Sequence, residues 1–130
     1  MTLPDQPVSG TAPSHGLPRQ RRLRKASEFS TVYRRGRASS GPRLVIKALP
    51  NRSGAVRFGF AVGKKVGNAV ARNLVKRRLR EIVRQELVVP GMDVIVIAKP
   101  ASRDASYQQL RAETQSLLAR GRITTVPGRR

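Results

Sequence analysis

Apolar residues in this chain change their spacing several times, and each change marks an element. In "KASEFSTVYRRG", Phe29, Val32 and Tyr33 recur at i, i+3 and i+4, which predicts a short helix that Gly36 stops. "RLVIKAL", Arg43 to Leu49, predicts a strand ending at Pro50. After the loop "NRSG", the run Val56 to Val62 alternates strictly, with Val56, Phe58, Phe60 and Val62 on one face. The two runs together predict an antiparallel hairpin. Gly67 and Asn68 open a long helix with Asn68 as its N-cap, and Pro90-Gly91 closes it. "DVIVIAK", Asp93 to Lys99, is apolar at successive positions, as a strand covered on both faces should be. "SYQQLRAETQSLLARG" predicts a last helix with Tyr107, Leu110, Leu117 and Leu118 inward and Gly121 past its end. This order predicts an α+β fold, a two-layer sandwich of helices packed on one sheet.

The ends differ from the middle. Residues 1–20 are expected to form a flexible tail: four of the nine prolines fall within the first 18 positions, and few residues there suit a core. The folded domain is expected over 21–121, with a second short tail over 122–130. No apolar run is long enough to span a bilayer, and the first residues lack the apolar centre of a signal peptide, so a cytoplasmic protein is expected. Without cysteine there is neither a disulfide framework nor a thiolate metal site. A formal charge of +20 over 130 residues points to a polyanionic partner.

That charge concentrates on the long helix. Its apolar positions Val75, Leu79, Ile82, Val83 and Leu87 fall in one arc of about 140°, which can pack on a sheet. Asn73, Lys76, Arg77, Arg80 and Arg84 form a separate stripe of about 100° beside it. A merely solvated face would mix signs; here only Glu81 is placed to relieve the repulsion, through Arg77 and Arg84. A rigid cationic row fixes register on a folded nucleic acid, and Asn73 can both donate to and accept from a base edge or a 2′-hydroxyl. No second helix lies a short turn away as a helix-turn-helix needs, and the helix lacks the aromatic face of a membrane-surface helix.

The motif "KKVGNAVARNLVKRRLRE", preceded by a strand and followed by "MDVIVIAKPA", resembles the protein subunit of bacterial ribonuclease P. "LRKASEFSTVYRRG" and "RLVIKAL…RFGFAVGKK" match in the same order, and the resemblance covers about residues 21–120. It implies the order αβββαβα, with an extra short strand around Arg37 to Ser40, on a mixed sheet with a left-handed crossover through the basic helix. It also implies the partners: a catalytic RNA that removes the 5′ leader of precursor tRNA, and the precursor itself, with no other protein required. Mg2+ is expected for the RNA-catalysed step, with no cofactor on protein side chains. By this resemblance Lys64, Arg72, Asn73, Lys76, Arg77, Arg80 and Arg84 contact the catalytic RNA. Leu74 stands where the family usually has Arg.

A second surface is expected on the other face of the alternating strand, where Arg57, Gly59, Ala61 and Gly63 lie and whose parity Lys65 continues. Small residues flanked by cations either leave a shallow basic trough for a single strand or let the first helix pack close. The resemblance favours the trough and assigns the leader to Phe29, Tyr33, Lys47, Arg57 and Lys65. Lys47 replaces what is often an aromatic, and Ala61 and Gly63 replace small hydroxyl residues. Protein-borne catalysis is not expected. The seven acids are scattered, His15 lies in the tail, and Gly59-x-x-x-Gly63-Lys64-Lys65 is one spacer short of a P-loop. The competing reading is a non-catalytic RNA-binding or ribosome-assembly module, which has no use for a single-strand cleft.

Overall fold

The computed structural model describes residues 22–123 apart from Arg24 and Leu87. The expected N-terminal tail, most of the C-terminal one and the Leu87 position of the apolar arc lie outside the described residues. The order is α1 (Ala26–Arg35), β1 (Arg37–Ser40), β2 (Leu44–Pro50), β3 (Arg57–Val62), α2 (Ala69–Arg84), β4 (Met92–Ala98) and α3 (Tyr107–Arg120). Short 3₁₀ turns sit at Lys64–Val66 and Pro100–Asp104. The order αβββαβα and the extra strand are as expected. The packed chain runs on past 121: Ile123 is buried, and its carbonyl accepts from Val89 N–H at 2.7 Å.

The expected hairpin of β2 and β3 is wrong. The sheet order is β1-β2-β4-β3, and β4 lies between the two runs, antiparallel to β2 and parallel to β3. The burial of β4 explains the choice. Asp93 to Val96 and Ala98 are all buried, and an edge position would expose a row of backbone groups beside these side chains. The tight hairpin is instead that of β1 with β2.

Side chains alternate across the sheet and feed two cores. Leu44, Ile46, Phe58, Val62, Val94 and Val96 pack with Val75, Leu79, Ile82 and Val83 of α2 and Leu110, Leu117 and Leu118 of α3. On the other face Ile95 packs with Val32 of α1 and Leu23, joined by Phe29, Leu49, Ala61 and Ile97. The mixed sheet thus carries α2 and α3 on one face and α1 alone on the other, which refines the two-layer expectation. α1 is short and leaves part of that face open.

Local chemistry fixes the helix ends. Asn68 caps α2, its side-chain oxygen accepting from Ala71 N–H at 2.9 Å. Gly67, at φ 156°, makes the preceding turn in a conformation side chains disfavour. α2 stops at Arg84, well before Pro90, with Gln85 as its C-cap. In α3 the buried set includes Glu113, which periodicity could not place. It accepts from Arg43 and Leu44 N–H at 2.8 and 2.7 Å and pairs with Arg43 Nη1 at 3.0 Å, so it organises the start of β2.

One ionic clasp ties α1 to the sheet. Arg57 Nε and Nη2 each donate to Asp93 at 2.8 Å, and Nη1 donates to Glu28 of α1 at 2.9 Å. Asn51 also donates to Asp93, at 2.7 Å. Asp93 and Arg57 are direct neighbours in the β3–β4 register. Replacing Asp93 with Ala leaves Arg57 with Glu28 alone and removes the acceptor of Asn51, and denaturant unfolding should show a loss of about 1–3 kcal/mol. Glu81→Ala, which removes an exposed pair with Arg84, should cost about 1 kcal/mol or less.

Gly59 reports how closely α1 approaches. A Cβ there would sit 2.6 Å from the Phe29 ring and 3.2 Å from Leu23, whereas one at Gly63 would meet nothing within 4 Å. Gly59→Ala should therefore cost about 1–3 kcal/mol by overpacking, and Gly63→Ala about 0.5 kcal/mol or less, in the same unfolding assay.

Candidate nucleic-acid interface

Two basic surfaces emerge, on opposite faces of the sheet. The first is α2. Its four described apolar-arc residues are buried, and this orientation turns the stripe outward. Asn73, Arg77 and Arg84 are exposed, while Lys76 and Arg80 are half-buried. Val70, exposed at 77%, sits one turn before Asn73 and extends the face with an apolar group that sequence reasoning passed over. Burial, with the positive charges of Arg22 and Arg77, pushes the Arg80 guanidinium down to about 9. It stays protonated at neutral pH, in surroundings where an incoming anion would be strongly favoured. Glu81 pairs with Arg84 at 2.6 Å and accepts from Gln85, so Arg84 carries a local counter-charge. Arg72 is half-buried and its Nε is enclosed without a hydrogen-bond partner. Leu74 is half-buried.

The second surface is the part of the α1 face that α1 leaves open. The register sets Gly59, Ile95 and Lys47 in one row and Ala61, Ile97 and Val45 in the next. Phe29 lies over Gly59, so close packing holds at that end of the proposed trough. Beyond it a groove of about 360 Å3 opens, lined by Ala61 and Ile97 together with Tyr33, Gly63, Lys64 and Lys65. Tyr33 is 38% exposed, and burial raises its phenol, which keeps it a neutral donor. Lys47 donates to the Tyr33 carbonyl at 2.9 Å, with its ammonium 5.3 Å from the ring centroid, so it steadies this aromatic wall.

The expected leader residues therefore separate. Tyr33 and Lys65 line the groove and Lys47 braces it. Phe29 is half-buried on the sheet-facing side of α1, and Arg57 is held by Asp93 and Glu28. The Asp93 hydrogen bond, then its charge and that of Glu28, raise the guanidinium further despite partial burial. Lys64, expected with the α2 stripe, lines the groove beside Lys65. Ile97, the groove floor, was missed. Its parity within Asp93–Lys99 matches that of Asp93 and Ile95, but only the parallel pairing of β3 with β4 reveals which face that is.

Among the described residues no three of His, Asp or Glu converge as metal ligands. Five of the six described acids are engaged in structure: Asp93 and Glu28 on Arg57, Glu113 on Arg43, Glu81 on Arg84, and Glu86 accepting from Gln115. Among the described residues no helix is long and apolar enough to cross a membrane.

The chain is also similar to known proteins. Residues 17–122 match the family described as Ribonuclease P. The ribonuclease P protein component of Acidothermus cellulolyticus is 44% identical over 113 residues, covering 83% of this chain and 92% of that one. That of Clostridioides difficile is 37% identical over 109 residues, covering 82% and 96%. Among solved structures, a Staphylococcus aureus RNase P protein mutant described as having defective mRNA degradation activity superposes with a TM-score of 0.74 at 30% identity, covering 80% of this chain and 90% of that one. The Thermotoga maritima RNase P protein gives 0.70 at 28% identity, covering 76% and 96%. By sequence over most of its length and by fold, the chain belongs to the ribonuclease P protein component family.

Proposed function

We propose that this protein binds the catalytic RNA of ribonuclease P through the α2 stripe and the 5′ leader of precursor tRNA in the groove beside Tyr33. The observation that carries this reading is the pair of surfaces: a rigid cationic helix face, and a groove walled by an aromatic ring and two lysines. Phosphates of a folded RNA match Lys76, Arg77 and Arg80, whose spacing is fixed by the helix, with Asn73 offering the one group that both donates and accepts. A single strand laid over Ala61 and Ile97 meets the Tyr33 ring for stacking and Lys64 and Lys65 for its backbone. Phe29 and Arg57 act one step back, by seating α1 over Gly59 and clasping it to β3 and β4.

In this reading the hydrolytic chemistry belongs to the RNA, and the complex works in the cytoplasm without a further protein. Magnesium, when bound, stabilises the phosphodiester cleavage. The acids of this chain do not fit as its holders, since those described are mostly engaged by arginines, amides and backbone N–H groups. The protein contributes binding and register: it lengthens the contact with the substrate by the leader, which mature tRNA lacks.

Reconstitution tests this directly. Protein freed of nucleic acid, with magnesium, should leave precursor tRNA and an unstructured mRNA intact, and adding the catalytic RNA should produce the mature 5′ end. Turnover by protein alone that co-purifies with the folded chain through stringent nuclease removal would overturn the assignment of chemistry to RNA.

Tyr33→Ala should weaken holoenzyme affinity for precursor tRNA by about 5- to 150-fold, as expected for loss of one stacked base, and leave mature tRNA affinity unchanged. The loss should be broad across leader sequences, because stacking tolerates any base. An equal loss for both tRNA forms would place the leader elsewhere.

A further inference from the structure

The outward face of α2 carries more than cations. Val70, Asn73, Leu74 and Arg77 stand at i, i+3, i+4 and i+7, so they form one contiguous patch on the helix surface. Val70 is 77% exposed, and apart from Tyr33 at the groove it is the one large apolar side chain exposed among the described residues. Leu74 is half-buried and belongs to neither core cluster. α2 is held on the sheet by the separate arc of Val75, Leu79, Ile82 and Val83. The chain has three asparagines. Asn51 donates to Asp93 and to the Ala55 carbonyl, and Asn68 caps α2. Asn73 is exposed, and its amide bonds to nothing among the described residues.

We propose that Val70 and Leu74 seat the ring of one unstacked adenine of the catalytic RNA, with Asn73 reading its edge and Arg77 holding its phosphate. This rests on the reading that α2 carries the catalytic RNA, and it adds to a phosphate-binding stripe a site that recognises a base. Cations on phosphates fix register but carry no sequence information. Two adjacent aliphatic side chains offer a base what a phosphate cannot use, apolar area that leaves water on contact. The charge around the patch selects the occupant: Lys76, Arg77 and Arg80 suit a polyanion, and a chain of net charge +20 repels a second copy of itself. The amide of Asn73 presents one donor and one acceptor side by side. That pair matches N7 and the N6 amino group of adenine, whereas the same edge of guanine offers two acceptors. Arg77 lies one turn beyond Asn73 on the same face, within reach of the backbone of a nucleotide so placed.

The test uses the full chain and the catalytic RNA over a range of salt concentrations. Val70→Ala should weaken RNA affinity by about 5- to 10-fold, for the loss of two seated methyl groups, and leave the log–log salt slope unchanged. Its thermal unfolding should stay close to wild type, because the side chain is exposed. Asn73→Ala should weaken affinity by about tenfold, again with an unchanged slope. Arg77→Gln should instead reduce the slope by about 0.7–0.9, one phosphate contact. Unpaired adenines of the RNA are then replaced one at a time by 7-deazaadenine, which lacks N7. One replacement should cost the wild-type protein about 5- to 10-fold and cost the Asn73→Ala protein nothing further, as for two groups sharing one contact. If Val70→Ala binds within twofold of wild type while Arg77→Gln is impaired, the seat is refuted and the α2 interface stands. If neither variant is impaired, the α2 interface itself fails. A lowered slope for Val70→Ala would refute an apolar contact, and so would the absence of any adenine whose replacement is silent in the Asn73→Ala protein refute base reading. Altered sedimentation of RNA-free Val70→Ala protein, with RNA affinity kept, would assign the patch to a second copy of the chain instead.

Discussion

Strand β4 carries apolar side chains to both faces of the sheet, and a strand so buried must have neighbours on both edges and cover on both faces. The rest of the arrangement follows from meeting that demand with few elements. β2 takes one edge and β3 the other. Because β3 lies parallel to β4, the chain has to cross from one end of the sheet to the other between them, and the crossing segment is α2. Its apolar arc lands on Phe58, Val62 and Val96, and its cationic stripe is thereby forced outward. The remaining face needs cover for Ile95, which Val32, Leu23 and Phe29 supply.

The same constraint separates two cationic surfaces by the thickness of the sheet. A protein of charge +20 cannot bring its basic groups together without strong self-repulsion, and the fold keeps its few described acids where they join elements. Asp93 and Glu28 hold Arg57 and so hold α1 to β3 and β4; Glu113 holds Arg43 and the start of β2. The α2 stripe and the groove rim stay strongly basic, and an RNA partner is the natural counter-charge for both.

Much of this was legible in the sequence, and the exceptions share a cause. The periodicity of Val75, Leu79, Ile82 and Val83 identified the buried side of α2, and the cap at Asn68 marked its start, because both are local properties. Pairing is not local. Nothing in the alternation of Val56 to Val62 distinguishes a hairpin partner from a parallel neighbour that arrives thirty residues later. Parity placed Gly59 and Gly63 on one face, but only the reach of Phe29 shows that the first is covered and the second open. Glu113 carries no periodic signal for burial, and only the turn before β2, whose N–H groups it accepts from, explains its place. Arg22 was expected inside the folded domain, but its bridge to Phe58 was not legible, because it depends on β3 being an edge strand.

The claim on which the account rests is that the two RNA ligands occupy opposite faces of one sheet. Site-specific photo-crosslinking in the assembled ternary complex tests it most directly. A short photoreactive side chain at Gly63, where a Cβ meets nothing within 4 Å, should attach to the precursor leader. The same group at exposed Asn73 should attach to the catalytic RNA. Crosslinks from both positions to the same RNA, or from position 63 to mature tRNA as readily as to precursor, would contradict the account.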